Sequence, residues 1–578
     1  MTKNTAETSW LDTVLLALLA ILVGVVAAYA SLGFLVAIGW LHGLLVGDET
    51  GTSLYIHLTG LSPVYLFIIP VIGAVIVSII TGYGMPTRRN HGPADVIYAA
   101  RQGNGNMSIK AGLTNAVASI VSIGSGASVG RYGPVVHLGA TLGAWLANKL
   151  KLAPARRKTL LACGVAGAIS ASFSAPLAGV VFAHEVVIGR FGIRSVMPIV
   201  ISSVVATTIA KNHEVDGALF MLSGLSVAAN WEYALFALVG AVGGGLAVLF
   251  MAMMRTFNQF AQRLPGPPVV RAVLGGMLLG AIIVVYPQTF GLGEQVVRDA
   301  LMMELTAGIL LTLIFAKLLA TSVSFAAGFA GGVFGPALFI GAMMGTAIGL
   351  GVNALADVAS SPAVYGVAGM GAVISRVVGS PIATILIVFE LTEDYYLTTA
   401  VMVLVVVANT VTQALFNHSY FYHQLRERGI EPDEPRTHQI LREIPISRLV
   451  EEKKPVVVTD DATVSMVRDT IVKQNASEVY VIDHERRLLG QINGIMLLEL
   501  IDERSLSEPV TRFLSKPFIV LHTQMNVLEA FSSLKNFVGV SVPVVTNEVS
   551  YRFVGVVYES TVMRTYLNAV AQSQREEC

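Results

Sequence analysis

Long runs without a charged side chain divide this sequence. Asp, Glu, Lys and Arg are absent between Asp12 and Asp48, Glu49 and Arg88, Glu232 and Arg255, and Lys317 and Asp357. At about 1.5 Å per helical residue, each run can cross a hydrocarbon layer of about 30 Å. Lipid offers no water to satisfy backbone groups, so membrane helices are expected over these runs. Before the first of them, Met1 to Trp10 is polar, carries one Lys and lacks a cleavage site of small residues, so Val14 onward reads as a retained helix. From Pro445 the pattern changes to short β-rich runs alternating with amphipathic helices. Pro455–Val458 leads to a helix with Val464, Val467 and Ile471 on one face. A strand at Val479–Ile482 then passes a charged turn, Asp483–Arg487, into Leu488–Ile492. Pro517–Val520 opens a second copy 62 residues after Pro455, and Phe553–Val557 matches Leu489–Ile492.

Composition sharpens that division. The 578 residues are 54% hydrophobic and 13% charged, against about 25% charged in a soluble domain. From Arg426 onward lie 40 of the charged residues, leaving 36 for the first 425 positions. A lipid-facing part therefore precedes a water-facing part. Net charge is zero, with no sign of a basic groove for nucleic acid. Cys163 and Cys578 are the two cysteines, which argues against a disulfide framework or a zinc site. The apolar runs show neither a nucleophile beside a base nor clustered metal ligands, so an enzyme is not expected.

Glycine and proline interrupt the apolar runs in a repeating way. Gly130–Ala140 reads GRYGPVVHLGA and Gly332–Ala342 reads GVFGPALFIGA, 202 residues apart. Gly164–Gly167 recurs at Gly366–Gly369, and Pro176 with Glu185 recurs as Pro381 with Glu390. Ordered matches at nearly constant offset imply two internal halves with broken helices, whose interface is the expected transport site. Pro suits the first turn of a helix, where its missing N–H costs nothing. A helix start carries about half a positive charge and free N–H donors, which together bind anions. Two such starts meeting at midplane would hold a small anion without a full lysine charge to trap it, as conduction requires.

These motifs resemble the CLC family of chloride channels and proton/chloride antiporters. GRYGP at Gly130–Pro134 is similar to G-[KR]-E-G-P, GVFGP at Gly332–Pro336 to G-x-F-x-P, and Ala175–Gly179 and Phe389–Thr392 are typical of the family. The resemblance covers roughly residues 14 to 425. It implies an all-α polytopic membrane domain of about eighteen helices in two inverted repeats, over residues 1–425. It also implies a homodimer with one pore per subunit, in the cell (inner) membrane. By resemblance, chloride would lie against backbone at Val333 and Phe334 and near the start at Arg131, Tyr132 and Gly133. A third helix start, with a serine in the family, falls on Arg89–Pro93 and places Asn90 at that position. Gly82–Pro86 looks more like the motif but lies too far upstream. The family's terminal tyrosine falls near Ser419–Tyr422, in a register that puts Phe421 there and leaves Tyr420 and Tyr422 as alternatives.

Two departures bear on mechanism. A proton-coupled exchanger needs a titratable group that can enter and leave the anion path. The family's gating glutamate corresponds here to Tyr132, and a phenol, titrating near pH 10 in water, stays neutral at physiological pH. The inner proton-transfer glutamate corresponds to Val186, which titrates at no pH. Passive permeation with Tyr132 as an aromatic gate is therefore the expected mechanism, with an antiporter using a non-standard proton route as the alternative. Glu185, matched by Glu390, reads as structural.

The tail resembles an α/β tandem CBS pair on the cytoplasmic side, with a linker over 426–444, one module over 445–505 and the second over 506–578. Such pairs often hold adenine nucleotides through a Ser/Thr and an Asp. The matching stretches, Asn493–Met496 and Tyr558–Thr561, lack that Asp. No cofactor is expected to be required, chloride being the bound substrate.

Overall fold

The computed structural model describes residues 10–47, 54–189, 191–213, 225–356, 358–431, 434–451, 455–494, 505–517 and 519–577. The chain forms two compact units, Met1–Pro432 and Asp433–Cys578.

The first unit contains eighteen α-helices among the described residues. They open with α1 (Trp10–Val46), α2 (Leu54–Thr59), α3 (Pro63–Gly84), α4 (Pro93–Arg101), α5 (Ile109–Gly124), α6 (Tyr132–Lys149), α7 (Pro154–Phe173), α8 (Pro176–Phe182) and α9 (Ile193–Asn212). The second series is α10 (Glu232–Arg263), α11 (Pro268–Val285), α12 (Glu294–Leu301), α13 (Ala307–Ala327), α14 (Phe334–Leu355), α15 (Pro362–Ile374), α16 (Pro381–Thr392), α17 (Tyr395–Phe416) and α18 (Tyr420–Arg426). Helices α3 to α9 and α11 to α17 correspond in order, so the repeat detected in three motifs extends through each half. Proline occupies the first turn of α3, α4, α7, α8, α11, α15 and α16, where its fixed φ starts a helix. Nine helical segments among the described residues are long and apolar enough to cross a membrane. The charge-free run after Lys317 is divided between the end of α13, a non-helical stretch and α14.

The halves meet at the repeated motif. Gly130 and Gly332 form an antiparallel bridge, Gly130 N–H donating to Gly332 O at 2.6 Å and Gly332 N–H to Gly130 O at 2.7 Å. Equivalent residues exchanging equivalent bonds is the signature of an approximate two-fold axis. The G-x-x-G spacing follows from the closeness. A Cβ on Gly130 would stand 2.7 Å from Gly335 N, and one on Gly332 2.8 Å from Gly133 N. Later motif glycines serve helix packing: a Cβ on Gly139 would meet Gly164 O at 2.4 Å, and one on Gly341 would meet Gly369 O at 2.3 Å.

The second unit holds two three-stranded sheets. In the first, β1 (Val456–Thr459) pairs parallel with β2 (Glu478–Ile482), which pairs antiparallel with β3 (Leu488–Asn493). The second repeats the pattern with β4 (Leu521–His522), β5 (Ser541–Val545) and β6 (Phe553–Tyr558). Tyr480, Ile482 and Leu488 share a core with Val545, Phe553 and Val556, so each copy completes the other. Two expectations change. The strand of the second copy begins at Leu521, beyond Pro517–Val520. The stretch read as linker contains a helix, Arg436–Glu443, because Ile440 and Leu441 bury against the second sheet's core. Of the nucleotide stretches, Ile495 and Met496 lie outside the described residues.

Candidate anion site

Elements broken at glycine and proline bring several helix starts to one point. A small cavity is lined by Tyr132 and Gly133 from α6, Val333 and Phe334 at the start of α14, Pro93 from α4 and Phe421 from α18, together with Val136, Ile169, Phe182 and Val378. It offers about 10 Å³ to the centre of a water-sized sphere, which is room for about one water. Helices α6 and α14 both place proline in the third helical position, so the N–H groups just before it have no partner within the helix. Two helix starts with N–H groups unpaired within their helices thus adjoin a cavity lined by apolar atoms.

Three aromatic rings close the space. Tyr132 stacks on Phe173 with ring centroids 4.2 Å apart, and lies 5.1 Å from Phe334. Phe173 and Phe334 are 5.2 Å apart. Tyr132 is 2% exposed and Phe334 4%, so these rings are packed face and edge with no space for a chloride between them. Offset and tilted ring pairs of this kind contribute about 0.5–1.5 kcal/mol each beyond burial. The trio holds one closed arrangement in place.

Other candidates fall as follows. Phe421 lines the cavity, whereas Tyr420 accepts a hydrogen bond from Gln424 at 3.0 Å and Tyr422 stacks on His418 at 3.8 Å. The structure does not bring the Asn90 side chain to the cavity. Its Nδ2 donates to Gly328 O at 2.7 Å and its Oδ1 accepts from Thr81 Oγ1 at 2.8 Å, tying the entry of α4 to α3 and the end of α13. Pro93 is the residue of that helix start which reaches the cavity. Arg131 is buried beside the site, its Nε 3.0 Å from Glu294 Oε1 and its Nη2 3.4 Å from the Tyr132 hydroxyl. Val186 is buried in a π-helical segment, Ala183–Ile188, and its carbonyl accepts from Arg101 at 2.9 Å.

Glu185 and Glu390 act reciprocally. Glu185 accepts from Ile382 N and Ala383 N at 3.0 and 2.9 Å, capping α16. Glu390 accepts from Leu177 N and Ala178 N, both at 2.8 Å, capping α8. Each half supplies the carboxylate that satisfies the other's helix start, which accounts for the repeated Pro-to-Glu spacing.

Two residues escaped the sequence reading. Phe173 ends α7 just before Ser174, whose φ is +54°, and the break before Pro176 was its visible signal. Glu294 is marked only by charge economy, since an arginine inside an apolar motif needs a counter-charge.

Comparison with known proteins agrees with this architecture. Residues 72–413 match the family described as voltage gated chloride channel, and 446–503 and 510–568 match CBS domains. The voltage-gated ClC-type chloride channel ClcB of Citrobacter koseri is 30% identical over 417 residues, spanning 71% of this chain and 99% of that protein. A putative chloride channel protein ClcB-like of Ralstonia nicotianae is 30% identical over 379 residues, 65% of this chain and 88% of its own. Among solved structures, a slow cyanobacterial Cl-/H+ antiporter superposes with a TM-score of 0.63 at 21% identity, covering 72% of this chain and 97% of its own. A eukaryotic CLC transporter gives a TM-score of 0.62 at 19% identity over 96% of this chain and 99% of its own. With its paired helix starts, its duplicated halves and its CBS tail, this chain belongs to the voltage gated chloride channel, or CLC, family.

Proposed function

We propose that this protein lets chloride or a similar small anion cross the membrane passively, without proton coupling, and that Tyr132 is its gate. The observation carrying this reading is the side chain at the closure: a neutral phenol stacked on Phe173 and tilted against Phe334, beside the starts of α6 and α14. A carboxylate there could trade places with an anion by changing its charge. A phenol can only move aside or donate a hydrogen bond. Val186 adds a second reason, since an aliphatic side chain stands where inward proton transfer would need an acid. Glu185 is engaged as a helix cap and is poorly placed to replace it.

In this reading Tyr132 swings off Phe173, and the anion passes the cluster of N–H groups at Gly133, Val333 and Phe334. The assembly is a homodimer with one route per subunit, in the inner membrane with the CBS pair in the cytosol. No cofactor takes part in permeation, and the CBS pair acts as a structural or dimerising element. Adenine nucleotide is the ligand to test on it, by whether ATP, ADP or AMP raises the tail's melting temperature.

The deciding experiment measures reversal potential in proteoliposomes under combined chloride and proton gradients. It is expected to follow the chloride gradient alone. Chloride driven uphill by a pH gradient would replace this reading with an antiporter.

A further inference from the structure

We propose that Glu294 controls anion passage by holding Arg131 out of the anion path, and that neutralising it from one side of the membrane speeds permeation. The inference rests on the site reading above and adds the Arg131–Glu294 pair to it. Arg131 belongs to the repeated motif and is the N-cap of α6. Its counterpart in the second half is Val333, so the charge is an asymmetry laid over a duplicated backbone. The guanidinium carbon stands 5.1 Å from the centre of the Tyr132 ring, with Nη2 3.4 Å from the hydroxyl. On its other side Nε meets Glu294 Oε1 at 3.0 Å. The Arg131 side chain is 6% exposed and the Glu294 side chain 31%, so the carboxylate reaches solvent while the cation does not.

Glu294 is placed there by a stiff support. Gly293, just before it, has φ of +74°, a conformation side chains resist. A Cβ on Gly293 would meet the Phe339 ring at 2.9 Å and Lys317 Nζ at 3.3 Å. Lys317, buried in α13, donates to Thr289 O and Gly291 O at 3.2 and 3.0 Å, fastening the loop that precedes Glu294. Gln295, the next residue, accepts from Leu54 N of α2. By the internal repeat, Gly293 caps α12 as Gly92 caps α4, so Glu294 opens its helix where the cavity-lining Pro93 opens the earlier one.

The charges around it give the direction of effect. Facing Glu294 are Arg131 and Tyr132, with Lys317 behind the preceding Gly293; α12 itself adds exposed Arg298 and buried Asp299, with Tyr55 and Glu304 close to Asp299. The packed helices α14 and α15 contribute no Asp, Glu, Lys or Arg, and Tyr365 of α15 is bonded to Glu232 at 2.6 Å. Protonating Glu294 leaves Arg131 with an uncompensated positive charge against the closing ring. That charge draws anions toward the α6 start and competes for the Tyr132 hydroxyl. Glu294 is thus a positioning and charge-setting residue.

The test records anion current through purified full-length protein in planar bilayers while each side is acidified in turn. Wild type should gain about tenfold in current on acidification of one side only, the low end of the scale of charge steering. Glu294→Gln should start at the raised level and lose the response, and Glu294→Asp should keep it. An unchanged rate and pH profile in Glu294→Gln overturns the proposal. Should that variant fail to assemble, a wild-type current indifferent to pH on both sides overturns it equally. Proton coupling in the reversal potential, with the Glu294→Gln effect intact, would sink the passive reading and leave Glu294 standing. An inert Glu294→Gln with a reversal potential set by chloride alone would do the opposite.

Discussion

The starts of α6 and α14 share a backbone and differ in what hangs from it. Both run G-x-x-G-P, exchange bonds through Gly130 and Gly332, and open toward the same cavity. In the first the variable pair is Arg131–Tyr132, tied to Glu294; in the second it is Val333–Phe334, both apolar. The shared part is a pair of helix starts with N–H groups unpaired within their helices, at a packing distance that tolerates no Cβ. In the proposed function, the unshared part sets when the anion passes. A duplicated scaffold can therefore be conserved in geometry while one copy alone carries regulation.

That contrast can be broken by experiment. The largest effect is expected where the halves are alike. Gly332→Val places its Cβ 2.8 Å from Gly133 N, and overpacking against backbone should cost about 3 kcal/mol. Gly130→Val should cost as much, read as lost thermal stability of the detergent-solubilised protein. A large cost in one half only would mean the bridge is not shared equally. Next come the rings. Tyr132→Ala should raise anion flux about tenfold, equivalent to about 1.4 kcal/mol of barrier, and Phe334→Ala should raise it less, because Phe334 lacks the Arg131 contact. Equal gains would place the gate on the whole trio instead of on Tyr132. Smallest are the caps. Glu185→Gln and Glu390→Gln should each lose about 1 kcal/mol of stability, with chloride selectivity untouched. A selective loss of flux in Glu185→Gln would reopen a proton route through that carboxylate.

Much of this was readable beforehand, for physical reasons. Charge-free runs exposed the membrane helices because lipid punishes charge wherever it occurs along a segment. The two starts were visible because glycine and proline at fixed spacing encode backbone geometry directly. Asn90 went astray because an amide at a helix start can bond either way, and Gly328 and Thr81 offered it partners that no local pattern reveals. Phe173 and Glu294 reach Tyr132 from α7 and α12, and a contact between distant segments leaves no period to detect. In the tail, β-branched alternation located β2 and β3 well, whereas β4 has only two residues and no alternation to show.

The crossed caps carry a consequence for motion. Glu185 fastens α16, Glu390 fastens α8, and the glycine bridge joins the centre, so each repeat is stitched to its twin at three points. Rocking one repeat against the other would tear all three seams together. The proposed gate spares them: an ion would pass by the turn of a single ring, leaving the walls at rest.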